Sequence, residues 1–207
     1  MLNHHANPPR TARGFSLVEL MVAMVLGLLV VSAVLAFIFS LIRANSETVL
    51  STRLNQEMRA TMSLIANDVR RARGMSDPIG AIGTSATVIN PFSAVAIPSA
   101  TCIRYAYAEG SAGTNYRAIR LNGGKVELVR AAAAGSATCN TAGTPLNSDG
   151  VTITDLKFDN PGGNARRVDV EITGELRNKP AYMTRNAAMS VTRKTIRQTI
   201  SIRSNGT

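Results

Sequence analysis

Few side chains in this sequence could carry out catalysis, and their placement argues against it. Both histidines, His4 and His5, lie at the extreme N-terminus, so the rest of the chain lacks the commonest general base and any imidazole metal ligand. Neither Cys102 nor Cys139 has a histidine partner, and no phosphate-binding loop, nucleophile elbow or zinc-protease motif occurs. The sequence therefore predicts a protein that is not an enzyme and that binds no metal and no cofactor.

One carboxylate, Glu19, has an unusual position. It directly precedes 23 residues without a charge, positions 20–42. An ionised side chain at the edge of such a run is costly in a membrane, so we expect Glu19 to need a positively charged partner.

The apolar run itself predicts a membrane-spanning helix. As a helix, 23 residues would cover about 34 Å, enough to cross a bilayer. Residues 1–14 contain Arg10 and Arg13 and no acid, which predicts the N-terminus in the cytoplasm and residues after Arg43 outside. A secretory signal peptide would have a shorter core and a small residue at position 42, where isoleucine stands. A plain single-pass anchor stays open, but gives Glu19 no role.

The residues from Gly14 to Leu20, GFSLVEL, resemble the class III signal of type IV pilins and type II secretion pseudopilins. The resemblance implies that a prepilin peptidase cuts between Gly14 and Phe15 and methylates the new amine of Phe15. It also implies that Glu19 pairs with the N-terminal amine of a neighbouring subunit during filament assembly. Residues 1–14 would then be a leader, and residues 15–42 a retained membrane and filament-core helix.

A second helical pattern follows the apolar run. Its apolar residues are spaced three or four apart, as on one face of a helix, and we assign residues 43–74 to an amphipathic helix ending near Gly74. We expect its two methionines to be core residues. The stripe consists of Leu50, Leu54, Met58, Met62, Ile65 and Val69.

Short alternating runs dominate residues 75–207, the predicted periplasmic domain. Asn122-Gly123-Gly124 predicts a hairpin turn, and a phase change predicts a bulge or a break near Arg193–Thr195. Residues 74–87 and 131–150 are predicted loops. The fold class is therefore α+β, pilin-like, with the long N-terminal helix packed on an antiparallel sheet. The predicted strands are 102–107, 116–121, 126–129, 151–158, 168–172 and 189–202.

The two cysteines suit a single disulfide. Cys102 and Cys139 are too far apart for the paired spacing of a zinc site, and both follow the membrane segment. Export to an oxidising compartment would favour a bond between them.

The positive charge of the chain suggests an alternative function, the binding of DNA or another anion. The net charge is +10, and loss of the leader would lower it to about +8. Basic residues near the C-terminus could neutralise DNA phosphates, although solvated strand faces or subunit contacts are the favoured interpretation. Asn147, Asp149, Asp155 and Asp159 offer oxygen atoms, but without calcium-loop spacing, and we interpret them as solvated loop residues. The candidate anion or DNA contacts are Arg193, Lys194, Arg197 and Arg203.

The C-terminal half is similar to the PilW-type minor pilins in CIRYAY (102–107), YRAIRLNGGKVELVR (116–130), and the Cys139 loop before VTITDLKFD (151–159). It is also similar to the J-type pseudopilin of type II secretion. The prediction is a structural minor pilin that takes part in type IV pilus initiation and assembly. It would sit in the bacterial inner membrane, then in the filament. Its partners would be other pilins and minor pilins, prepilin peptidase, the inner-membrane assembly platform and lipids. The alternatives are the pseudopilin and a filament-borne receptor for DNA or a surface.

Overall fold

A computed structural model describes residues 14–75, 92, 94–108, 114–161, 166–178 and 193–202. It contains one long helix, α1 (Leu17–Arg70), followed by eight strands. The chain divides into two compact units, residues 1–47 and 48–207, which are described separately. The strands are β1 (Ala96–Ser99), β2 (Cys102–Ala108), β3 (Thr114–Asn122), β4 (Lys125–Ala131), β5 (Thr144–Pro145), β6 (Val151–Asp159), β7 (Arg167–Leu176) and β8 (Arg193–Ser201).

The helix runs without interruption through both sequence patterns, the apolar run and the amphipathic stripe. No proline occurs between Pro9 and Pro78, and Gly27 is the one glycine inside the apolar run. In the second unit, the predicted stripe is buried from Leu54 to Val69, and Leu50 packs against the same core. The amphipathic prediction is therefore confirmed, including the core positions of Met58 and Met62.

The strands form two antiparallel sheets, where the sequence had predicted one. Five strands lie in the order β1-β2-β3-β4-β5, and three in the order β6-β7-β8. Strand β6 connects the sheets, because the Ile153 amide donates to the Gly124 carbonyl and the Phe158 amide donates to the Ala100 carbonyl. The two sheets and the helix share one apolar cluster, so the α+β class is confirmed.

The β3–β4 hairpin forms where the turn sequence predicted it. Asn122 pairs with Lys125, and Gly123 and Gly124 have φ values of 55° and 78°. Two consecutive positive φ angles suit a tight hairpin turn whose twist matches the strands, and glycine adopts them without a side-chain clash.

The helix ends differently from the prediction. Its last helical residue is Arg70, and Arg73, rather than Gly74, has the left-handed φ of 66°. This end is bonded to β2, because the Arg73 amide donates to the Ala106 carbonyl and the Ala108 amide donates to the Gly74 carbonyl. Main-chain pairing with a strand thus compensates the unusual backbone of Arg73.

Two further strand predictions need correction. Strand β8 pairs with β7 in constant register from Arg193 to Ser201, so the described strand has no bulge near Arg193–Thr195. The alternative, a break, concerns a junction with residues outside the described ranges. The irregularity of this sheet lies between Ile153 and Asp155 of β6. Strands β1 and β5 were not predicted, because they are short and contain Pro98 and Pro145. Residues 76–91 and 189–192, parts of a predicted loop and strand, lie outside the described residues.

Candidate functional site

The expected cleavage position lies just before the helix. Gly14, Phe15 and Ser16 are exposed and non-helical, and Phe15 exposes 84% of its surface. A Cβ atom added at Gly14 would meet nothing within 4 Å. The helix begins at Leu17, and the Leu20 amide donates to the Ser16 carbonyl. The Gly14–Phe15 peptide bond is therefore outside the helical hydrogen-bond ladder and open to solvent.

Glu19 lies in the first turn of α1 and is exposed. A carboxylate there interacts favourably with the unpaired amides at the helix N-terminus. Its position leaves the carboxylate accessible to another chain.

The apolar surface of the first unit is fully uncovered. Every Val, Leu, Ile, Met and Phe side chain between Leu17 and Ile42 exposes at least 43% of its surface. Elsewhere in the described chain, the exposed large apolar residues are Phe15, Val49 and Leu64. Within the described ranges, α1 is the one helix long and apolar enough to cross a membrane. Because the exposure extends around the whole helix, this segment needs an apolar surrounding on all sides.

A disulfide joins Cys102, at the start of β2, to Cys139 in the loop after β4, as expected. The loop is also held by side chains of the sheet: Arg104 Nε donates to the Ala137 carbonyl at 2.9 Å, and an Arg120 guanidinium nitrogen donates to the Cys139 carbonyl at 3.0 Å. Ala137 packs on this face of the sheet. The disulfide therefore reinforces a loop that side-chain hydrogen bonds and the packing of Ala137 also hold against the sheet.

The predicted basic contacts do not form one patch. Side chains alternate along β8, so Arg193 and Arg197 lie on the opposite face from Lys194. Arg197 forms an ion pair with Glu171 at 3.0 Å, and Arg193 lies opposite Glu175. Arg203 lies outside the described residues. Cations on the outer face of β6–β8 thus alternate with carboxylates.

The candidate cation ligands are also dispersed. Asp149 forms an ion pair with Lys125, and Asp155 forms one with Lys157. The buried Asn147 side chain accepts a hydrogen bond from the Val126 amide and donates one to the Val151 carbonyl, so its role is structural. Among the described residues, no group of three metal-ligating side chains occurs.

A polar cluster that the sequence did not indicate lies between α1 and β2. The Tyr105 and Tyr107 hydroxyls both donate to the carboxylate of Asp68, the Tyr107 bond measuring 3.1 Å. The Arg71 guanidinium lies 4.5 Å from the centre of the Tyr107 ring, a cation–π distance. Burial, followed by the negative charge of Asp68, raises the pKa of Tyr105 well above its ordinary value. The cluster bonds the last turns of the helix to the sheet.

Comparison with known proteins adds three findings. A family described as "Prepilin peptidase-dependent protein B" matches residues 47–197, and one described as "Prokaryotic N-terminal methylation motif" matches residues 9–35. No curated protein matches the chain. A solved structure, "Type IV-like pilin TTHA1219 from Thermus thermophilus", is similar at 10% sequence identity and a TM-score of 0.49, covering 72% of this chain and 97% of that chain.

Proposed function

Because this chain belongs to the prepilin peptidase-dependent protein B family and carries a prokaryotic N-terminal methylation motif, we propose that it is a minor pilin of a type IV pilus. It is made as an inner-membrane precursor, with its N-terminus in the cytoplasm and its β-rich domain in the periplasm. Prepilin peptidase removes residues 1–14 and methylates Phe15. The mature chain then enters a filament with other pilin subunits.

One observation carries the proposal: apolar side chains surround α1 completely from Leu17 to Ile42, next to an exposed Gly14–Phe15 bond. Burying a large apolar side chain is worth about 1.5–3 kcal/mol, so 19 such residues cannot stay in water. Lipid covers them in the precursor, and the helices of neighbouring subunits cover them in a filament. A short basic leader facing the cytoplasm suits removal by a membrane-embedded peptidase.

The structural role fits the described chemistry. The side-chain clusters of the described residues bond one element to another, as the disulfide and the Asp68 cluster do. We assign the chain to initiation and assembly of the pilus, working with the inner-membrane assembly platform, as a PilW-type minor pilin. A J-type pseudopilin of type II secretion would use the same helix in another machine. The alternating charges on β6–β8 give a DNA receptor less support than the sequence did.

The proposal is tested by intact mass spectrometry of the full-length protein extracted from membranes. We expect a chain that begins at Phe15 and carries one added methyl group. Gly14→Leu should leave the precursor uncut in the membrane, because a bulky side chain next to the cleaved bond obstructs the peptidase. Gly27→Ala, in the same helix but away from the bond, is the matched control and should be processed. A native N-terminus at Met1, or one beyond Ser40, would contradict the proposal.

A further inference from the structure

Strand β8 forms an open edge of its sheet. It pairs with β7 alone among the described strands. The Ile202 amide donates to the Arg166 carbonyl, which makes these opposed residues a hydrogen-bonded pair. Hydrogen-bonded pairs alternate along an antiparallel ladder, so even-numbered residues of β8 bond to β7. The odd-numbered residues therefore direct their amides and carbonyls to the open edge; they are Arg193, Thr195, Arg197, Thr199 and Ser201.

A cavity of about 160 Å³ lies between this strand and the helix. Met62, Ala66 and Ile196 supply its apolar surface, and the first two are buried. Ser63, Asn67 and Gln198 add uncharged polar groups. We call this cavity, together with the open edge of β8, the α1–β8 groove.

The two charged residues that line the cavity are both arginines. Arg59 and Arg70 are exposed and lie on the same flank of α1, 11 residues apart, which is about 16 Å along a helix. The acids of the same helical segment are engaged elsewhere: Glu57 accepts from the Ser148 amide, and Asp68 accepts from two tyrosines. The helical side of the groove is therefore positive.

These features together fit one kind of ligand. An added strand would bond to the open edge of β8 and present every second side chain to α1. Side chains four residues apart in a strand are separated by about 13 Å, so two carboxylates at that spacing can reach the two arginines. The residue between them would face Met62 and Ala66. The ligand pattern is acid-x-apolar-x-acid.

We propose that the α1–β8 groove accepts an extended acidic segment of a second, different pilin-like subunit, added as a strand to β8. The identification of the partner as a pilin-like subunit rests on the function proposed above. Exposed charges on an edge strand also disfavour unspecific pairing with other strands. A partner with complementary charge is therefore favoured.

The chain's own sequence does not supply this ligand. Residues 179–192, which precede β8, contain Lys179 and Arg185 and no acid, and residues 203–207 contain Arg203 and no acid. Two acids four residues apart occur at Asp155 and Asp159 and again at Glu171 and Glu175. Both pairs lie in β6 and β7, and the residue between each pair is polar. Charge complementarity therefore indicates another protein.

The test uses mature full-length protein in detergent micelles and a labelled synthetic peptide, TDTVTET, followed by fluorescence anisotropy. We expect saturable binding that the peptide TKTVTKT does not show. The double variant Arg59→Glu/Arg70→Glu should weaken binding at least tenfold. Arg53→Glu, an exposed arginine of the same helix beside Gly150 and away from the groove, is the matched control and should bind as the unchanged protein does.

Backbone methylation of the peptide tests strand addition separately. Methylating alternate amides should abolish binding in one register and leave it in the other, because only one set faces β8. Three results would overturn the proposal. Methylation in the two registers could weaken binding equally, or the double variant could bind the peptide as tightly as the unchanged protein. Residues 179–192 could also protect the β8 amides from hydrogen exchange. Normal processing at Phe15 without peptide binding refutes the groove alone. Peptide binding without that processing refutes the pilin identity of the partner.

Discussion

If the chain is a filament subunit, as proposed above, the charge of Glu19 would need neutralisation by another chain once the helices are packed together. In the precursor, the exposed carboxylate can remain near the lipid headgroups. In a packed bundle of helices, the α-amine of Phe15 on a neighbour offers the opposite charge. Pairing in such surroundings could be worth several kcal/mol relative to leaving either group alone.

We therefore predict that Glu19→Ala is cleaved and inserted normally but enters filaments poorly. Glu19→Asp should also be impaired, because its side chain is shorter, but less than Glu19→Ala, because it keeps the charge. The measurement compares mutant protein in membranes with mutant protein in sheared filaments. Glu47→Ala, further along the same helix, is the matched control. Normal incorporation of Glu19→Ala would show that this carboxylate is not the assembly contact.

Tyr105 predicts a loss of stability at alkaline pH. Burial first, and then Asp68, raise its pKa in the folded protein above the value of 10.0 that an unperturbed tyrosine has. Above pH 10 the unfolded chain loses this proton while the folded chain retains it, so the folded state becomes less stable. The free energy of unfolding should fall by up to about 1.4 kcal/mol per pH unit from this residue.

Urea unfolding of the mature protein in detergent, measured between pH 8 and pH 11, would check this. Tyr105→Phe should reduce the pH dependence, since one titrating hydroxyl is gone; the part that remains is expected from Tyr107, whose pKa is also raised by burial and by Asp68. Tyr116→Phe, on the opposite face of the sheet, should leave it as it is. The same slope in both variants would assign the alkaline loss to other groups.

Whether a residue-scale feature could be predicted from the sequence depends on how far apart its residues lie along the chain. The methylation motif that contains Gly14, Phe15 and Glu19 could be identified because it is local and needs no folded context. The bonds from Tyr105 and Tyr107 to Asp68 could not, since they join residues 37 and 39 positions apart. Their signal was weak: an acid beside an apolar stripe, and two alternating tyrosines in a strand.

At the scale of elements, the disulfide holds the loop after β4 against β2. It spans 37 residues, for which loop-entropy estimates give about 4 kcal/mol of stability. We predict that Cys102→Ser/Cys139→Ser lowers the urea midpoint, with the helix and strands retained. Free thiols in protein purified without reductant, detected by alkylation, would contradict the bond.

The contact between α1 and β7 depends on a missing side chain at Gly174. A Cβ atom there would lie 2.5 Å from Met58 Sδ and 3.1 Å from Ile153 Cδ1. We predict that Gly174→Ala costs about 1–3 kcal/mol of unfolding free energy by overpacking. Met58→Ala makes room, so the penalty of Gly174→Ala should shrink in that background. Equal penalties in both backgrounds, from urea unfolding, would exclude a clash with Met58 as the cause.

Element predictions succeeded where the apolar period was clear. The stripe of α1 and the Asn122–Gly124 turn are strong local signals, and both appear as predicted. Strands β1 and β5 were not predicted because their pairing depends on neighbouring strands that the local sequence does not reveal. Likewise the end of α1 is set by bonds to β2, so the helix stops at Arg70, before the predicted end near Gly74.

At the scale of the whole molecule, the sequence predicted a helix on a sheet but not the division into two sheets. That division depends on β6, whose amides reach the β3–β4 turn and Ala100. Sequence alternation reports which residues face a core and is silent about which strand lies beside which. The candidate anion contacts of the basic C-terminal residues stay a prediction, and the ion pair of Arg197 with Glu171 is visible only in the folded sheet.

The sharing of one core by α1 and β8 has a consequence for the order of events during synthesis. The helix is made first and β8 nearly last, yet Leu54, Met62 and Ile200 belong to the same apolar cluster. In the topology proposed above, the stripe of α1 would already lie on the far side of the membrane, without its final neighbours, while the ribosome completes the chain. In that topology, closure of the domain would therefore follow translocation of β8. A chain terminated before Arg193 would remain anchored but would leave Val168, Val170 and Ile172 beside an unfilled edge.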